Sequence, residues 1–422
     1  MKRHVKNHSW LLVIHLVFML VESKAAFASR QIFLSREASQ LKTSHPVIQP
    51  DCALFHYFER NETLFGFYHC SLSAKYVVTT SKSKYNVFLL RLVSDRHIST
   101  TMSERIDDMT YLITYRAPHH GHYKAFIRVL MDAETFDLPN NCLANYVRVN
   151  HQFEISDELD AHRVVAMREA QQDEDCCWEF LPPLKEDEML PYEGWDERSP
   201  WNPELASRLQ FSKSPKATSH EEARECLRDK AVCFLGDSQT RHLSVAFNEL
   251  FNSSFAAQCD KTTVSCSGEN GAFFILHYPE DVTGIDYSAC THLLFNYGQW
   301  PASYMNGPAW PIEKYTQETK HFFDSTLVPI GREKKVFWMS SNPFPLSHYR
   351  VRTCPPTDWR FPQVLKEYNS VAAALARERG IEVIDYFDIM FHLMDASYDN
   401  AHYKQPSGSA LAKLVLDRLC AS

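Results

Sequence analysis

The chain has 422 residues, 45% of them apolar and 23% charged, at a formal net charge of −8. That composition excludes a disordered or low-complexity chain, and the acidic balance excludes nucleic acid or anionic lipid as the expected partner. The length suits two domains, or one large domain with an appended module, and twelve glycines leave a small supply for any glycine-rich nucleotide loop.

The first 28 residues read as a targeting segment. Lys2, Arg3 and Lys6 lead into an apolar run from Trp10 to Val21 broken by His15, and Ala26-Phe27-Ala28 supplies a small-x-small cleavage pattern. A run of that length falls short of the ~20 residues that span a bilayer. An uncleaved signal anchor is the alternative; Glu22 and Lys24 limit its extension and favour cleavage, and only the uncleaved form would make a membrane a partner. Loss of four cations and one anion with this segment takes the net charge from −8 to −11. All twelve cysteines follow it, as expected for disulfides in an oxidising compartment, with connectivity open. The sequons at Asn61 and Asn252 fit secretory routing, in the Golgi lumen or outside the cell.

Residues 29–50 read as a polar stalk. Residues 51–155 carry short β-branched and aromatic runs, Tyr76–Thr80, Tyr85–Leu90, Met109–Tyr115 and Tyr123–Leu130, which predict a small β-sandwich. The stretch Arg116-Ala-Pro-His-His-Gly-His-Tyr123 resembles the entry to a late strand of filamin-type immunoglobulin-like domains. Its histidines, His119, His120 and His122, lack a nearby acid or cysteine to complete a metal site and read as a turn, so no metal and no cofactor are expected. Residues 156–225, acidic and punctuated by Pro and Trp, predict an irregular connector with aromatic anchors.

From 226 to 422 the pattern alternates. Ala231–Leu235, Ala272–Tyr278, His292–Asn296, Lys335–Met339 and Ile381–Asp385 predict strands, and 238–251, 311–326, 363–379 and 406–420 predict helices. This is an α/β domain with a mostly parallel sheet covered on both faces, in which functional groups belong on loops at the carboxyl ends of the strands.

Three motifs sit at such places. Gly236-Asp237-Ser238 lies where a strand meets a helix, exposing a hydroxyl beside N–H groups that can face a developing anion, although a simple helix cap would also explain it. Asn296-Tyr-Gly298 leaves another strand, offering an amide donor or merely a turn asparagine. Asp399-Asn-Ala-His402 precedes the last helix and can place a carboxylate on one ring nitrogen of a histidine. In this order the blocks resemble those of the SGNH, or GDSL, hydrolases. Gly236 to Arg241, Phe295 to Trp300 (with Gln299 in place of His) and Asp399-x-x-His402-Tyr403 are similar to the PC-esterase-like branch. That branch includes trichome-birefringence-like O-acetyltransferases and proteins joining neurexophilin-like to PC-esterase domains.

The resemblance implies a three-layer SGNH-type domain and a triad of Ser238, His402 and Asp399. Oxyanion donors would come from Ser238, Asn296 and Gly268. Arg241 is expected at the substrate, or more simply in an ion pair that fixes the nucleophile loop, and Trp300 is the expected sugar contact. Asp395 is a rival acid, less well spaced from His402 than Asp399. The implied chemistry is acyl transfer through an acyl-serine, from an acyl donor such as acetyl to a glycan or to water. A non-catalytic binding module on the same scaffold is the alternative.

Overall fold

The computed structural model describes residues 53–421, apart from 61–62, 70–73, 81–84, 116–122, 134–147, 150–153, 156–177, 186–207, 212–219, 251–270, 304–308, 346–357, 395–396, 404–406 and isolated positions. The targeting segment, the stalk, Asn61, Asn252, Gly268, Asp395 and the three clustered histidines lie outside the described residues.

The amino-terminal part forms two antiparallel sheets. One joins β1 (Ala53–Arg60), β2 (Thr63–His69), β3 (Ala74–Thr80), β7 (Thr110–Tyr115) and β6 (Glu104–Arg105) in that spatial order. The other runs β10 (Glu154–Ile155), β8 (Tyr123–Ala133), β4 (Tyr85–Val93), β5 (His97–Met102), β11 (Trp178–Phe180) and β12 (Leu209–Phe211), with β9 (Arg148–Val149) also on β8. The predicted runs fall within strands apart from Met109, which precedes β7. The reading of 156–225 as irregular throughout is corrected, because β11 and β12 extend the second sheet by pairing with β5 and with each other. Three-residue strands carry too short an alternation to stand out from a loop.

The carboxyl-terminal part is a five-stranded, wholly parallel sheet in the order β14 (Gly271–Ile275), β13 (Val232–Gly236), β15 (His292–Phe295), β16 (Lys335–Met339) and β17 (Glu382–Ile384). Buried runs such as Val232–Gly236 make the central strands apolar on both sides, as a covered parallel sheet requires. The helices are α1 (His220–Leu227), α2 (Ser238–Glu249), α3 (Ile312–Phe322), α4 (Pro362–Glu378), α5 (Phe387–Phe391) and α6 (Ser407–Ala421). α3 continues through a π turn at Phe323–Leu327. Two cores result. One packs Leu235, Phe295, Trp338 and Leu365 with α3 and α4; the other packs Phe234, Leu294, Phe337 and Met339 with α2 and α6. Cys226–Cys420 joins α1 to α6, and Cys233–Cys290 links β13 to the residue pair before β15. Among the described residues no helix is long and apolar enough to cross a membrane.

The second antiparallel sheet shares both cores: Val87 and Leu89 join the first, Val93, Ile98 and Trp178 the second. Its polar groups are matched across the seam. Trp178 donates its indole N–H to Ile389 O at 3.0 Å, Thr100 N–H donates to His392 Nδ1 at 2.8 Å, and Arg91 donates to His392 O at 3.3 Å.

Burial, only partly offset by Asp388, holds the His392 imidazole down at about 4, where an unfolded histidine sits near 6.5. The unfolded chain therefore binds the extra proton first, so this site's stability contribution is complete above pH 6.5 and is lost as pH falls towards 4. We expect chemical denaturation to show a loss on the order of 3 kcal/mol across that window. His392→Gln should be less stable at pH 7 but should lack this component of the pH dependence.

Candidate active site

β13 ends at Gly236, whose missing side chain is a steric necessity: a Cβ there would lie 2.2 Å from Thr240 Oγ1. The chain then turns into α2 through Asp237, in extended backbone (φ −83°, ψ −166°), which caps the helix. Its Oδ1 accepts from Gln239 N–H at 2.8 Å and Thr240 N–H at 3.4 Å. Burial pushes this carboxyl up to about 6, against the pull of those two N–H groups and of the Arg360 and His402 charges. Arg241 N–H is taken by Asp237 O, while no group among the described residues takes the Ser238 N–H. Ser238, the first helical residue, thus carries a half-buried hydroxyl and an open backbone donor at the positive end of α2.

The loop before α6 meets it. Ser238 Oγ lies 2.8 Å from His402 Nε2, and His402 Nδ1 lies 2.7 Å from Asp399 Oδ2. An ionised carboxylate only accepts, so Nδ1 carries the proton and Nε2 is free to receive one from the serine. Asp399 Oδ1 also accepts from the N–H groups of Ala401 at 3.0 Å and His402 at 2.7 Å. Desolvation acts most strongly on Asp399 and in the upward direction, but the His402 side chain, the two backbone bonds and the His402 charge together outweigh it and hold the carboxyl below its usual value.

Three further contacts hold this loop. Ser397 and Tyr403 form an antiparallel bridge, the buried Tyr403 hydroxyl reaches Pro343 O at 2.7 Å and Met394 O at 2.8 Å, and Gln239 Nε2 donates to Ala401 O. The ring of His242, one turn past Ser238, packs against that of His402 with centroids 4.5 Å apart. With Asp399 and Ser238 on its two nitrogens and His242 against the ring, the imidazole is oriented from three sides.

The other expected site residues fare differently. Asn296 leaves β15 at the level of β13's end, but its amide points inward, donating to Met339 O at 2.8 Å and Ser341 Oγ at 3.2 Å. Both amide protons are engaged with these two acceptors. Gln299 is buried too, donating to Asn342 O at 2.6 Å. The neighbouring Gly298 has no room for a side chain, since a Cβ would meet Ser341 Oγ at 2.5 Å. Trp300 sits half-buried on the following turn. Arg241 is exposed and forms no ion pair among the described residues, so the expected loop-fixing pair is absent there.

Gln239 and His242 escaped the sequence reading. The signal available was their place on α2, one and four residues after Ser238, which puts His242 on the nucleophile's face of the helix. Among the described residues no group of three or more His, Cys, Asp and Glu could hold a metal.

No protein-family model and no curated protein matches the chain. Among solved structures it is similar to a GDSL-like lipase from Bacteroides thetaiotaomicron, at 13% identity over 46% of this chain and 88% of that one, with a TM-score of 0.34. It is also similar to a carbohydrate esterase family 2 enzyme with a carbohydrate-binding domain from Corynascus thermopiles (Myceliophthora fergusii). That likeness has 8% identity over 87% of this chain and 98% of that one, with a TM-score of 0.26. At such scores neither likeness carries the functional argument, which rests on the site itself.

Gln239→Ala tests the strut between the two loops. Freed from Ala401, the base loop should shift relative to Ser238, and kcat should fall up to about 10²-fold with KM little changed. Steady-state kinetics on a chromogenic acetyl ester would read the split.

Proposed function

We propose that this chain is a serine-dependent acyl-ester enzyme of SGNH type, acting on glycans in the secretory pathway as an O-acetyltransferase or acetylesterase. The observation that carries the reading is the continuous relay from Ser238 Oγ through His402 to Asp399, at 2.8 and 2.7 Å. It lies at the carboxyl edge of a parallel sheet, beside an open helix-start N–H.

The chemistry follows from the arrangement. His402 Nε2 takes the Ser238 proton as Oγ bonds to the acyl carbonyl carbon, and the carbonyl's electron pair moves onto its oxygen. The Ser238 N–H is placed to receive that oxyanion. Asp399, kept ionised, stabilises the imidazolium and holds its tautomer. Collapse of the intermediate breaks the bond to the leaving alcohol, which takes the proton from His402, and leaves an acyl-serine. His402 then deprotonates the second acceptor. The acceptor oxygen bonds to the acyl carbon, the bond to Ser238 Oγ breaks, and His402 returns the proton to Oγ; water as that acceptor completes a hydrolysis, and a sugar hydroxyl completes a transfer. Asn296 would contribute to the oxyanion only by releasing Ser341. Trp300 is the proposed sugar-stacking side chain, and the amino-terminal sheets are read as an immunoglobulin-like module. An aligned carboxylate–imidazole–hydroxyl relay that reaches solvent at Asp399 and leaves Ser238 half-buried has little use in a purely binding scaffold, so the enzyme reading is preferred.

A fluorophosphonate probe applied to the disulfide-intact chain should modify Ser238, as located by peptide mass spectrometry, and Ser238→Ala should not react. Failure of the folded wild-type chain to label would sink the acyl-serine reading and favour a binding module. Asp399→Asn should fold and keep its substrate affinity while kcat on an acetyl ester drops by about 10⁴, as loss of the orienting carboxylate does in such triads.

A further inference from the structure

A second organised polar group lies on the same edge of the sheet. Asp358 is fully buried and accepts from Arg360 three times: from Nε at 2.8 Å, from its backbone N–H at 3.2 Å, and from Nη2. Ser303 Oγ adds a contact to Asp358 Oδ2 at 3.4 Å. The guanidinium also lies over the Phe344 ring at 3.6 Å. The side chain is therefore clamped along one edge and one face, with its rotamer set before any ligand arrives. Nη1 has no acceptor among the described residues, and the side chain retains 10% exposure. That remaining edge faces solvent, and a guanidinium held rigidly along its other edge is set to take an oxygen ligand there.

Its place follows from the strand register. Leu235 aligns with Phe295 and Phe295 with Trp338, so β13, β15 and β16 end at one level. Ser238 leaves from the first, the turn carrying Ser303 from the second, and the segment carrying Phe344 from the third. At about 4.8 Å per strand, the exit of β16 lies roughly 10 Å from that of β13. The clamp thus sits over the two exits beside the nucleophile, a distance on the scale of one sugar ring and its ester. The Arg360 charge is also felt at the Asp237 carboxyl, next to Ser238.

Resting on the acyl-ester reading above, we propose that Arg360 forms an anion subsite that takes the carboxylate of an acidic sugar whose hydroxyl is acylated, or whose ester is cleaved, at Ser238. A planar fork suits a carboxylate, whose two oxygens match it, better than a lone hydroxyl. The chain's net charge of −8 disfavours general attraction of polyanions, so recognition of a single carboxylate by one prepositioned cation is the form this selectivity takes.

Isothermal titration with glucuronate and with its neutral methyl ester tests this. The Ser238→Ala chain serves as host, so that the measurement does not depend on a working nucleophile. Glucuronate should bind at least fivefold more tightly than the methyl ester, and Arg360→Gln should bring the two within twofold. Arg360→Lys keeps the charge and a contact to Asp358 but loses the fork; it should fold if the glutamine variant does not, and should also lose most of the preference. Equal affinity for the two sugars, binding of neither, or a preference intact in a folded Arg360 variant would overturn the subsite. Glucuronate preference in a chain whose wild-type form never labels with fluorophosphonate would uphold the subsite and count against the acyl-serine reading.

Discussion

The corner at which β13 becomes α2 carries the rest of the site. Gly236 has no Cβ because Thr240 comes back over it, and Asp237 spends one carboxylate oxygen on the first N–H groups of the helix. Those bonds occupy the donors after Ser238, and among the described residues the Ser238 N–H keeps no acceptor. The arrangement opposes stability locally. Asp237 is buried, its second oxygen has no partner among the described residues, and its charge is disfavoured by desolvation. Such a group persists where packing around it over-determines the turn, as the buried faces of β13 and α2 do here.

The relay's other half arrives from 164 residues away. Its position is set by α6, which begins at Ser407 just past the base loop and packs along α2. Gly408 lies close against α2, where a Cβ would stand 3.4 Å from that of Ala246. At the far end of α6 the Cys226–Cys420 disulfide closes a loop of 194 residues, worth about 5 kcal/mol by chain entropy alone. Lys230 Nζ caps the same helix end at Leu419 O. Ser238, at the start of α2, and the His402 loop, just before α6, are thus carried by two helices that pack on each other.

The antiparallel sheets belong to this scaffold more closely than an appended module would. Arg91 and Trp178 are buried to 1% exposure, and both donate to backbone carbonyls in or next to α5. α5 follows β17 on the carboxyl edge, and Met394, a few residues on, accepts from Tyr403 beside His402. A continuous set of packed and hydrogen-bonded groups therefore runs from the second antiparallel sheet to the base loop, so deleting that sheet would expose both cores.

Local signals were legible in the sequence: the five parallel strands, four of the helices, and the three short motifs at strand ends. Those signals depend on neighbours along the chain, on apolar runs, caps and turn residues, and they hold within a residue or two at Ser238–Glu249, Pro362–Glu378 and Ser407–Ala421. The order of the motifs was enough to single out Ser238, Asp399 and His402 as a set. Tertiary structure decided how the polar groups are divided among partners. Asn296, readable as a donor to substrate, spends both amide protons on Met339 and Ser341 at the neighbouring strand end, whereas Gln239 and Arg360, unremarked in the sequence, brace Ala401 and Asp358 on the same edge. A hydrogen-bonding side chain has several acceptors it could serve, and which one it meets is fixed by strand register and helix packing, neither of which is written in its local sequence.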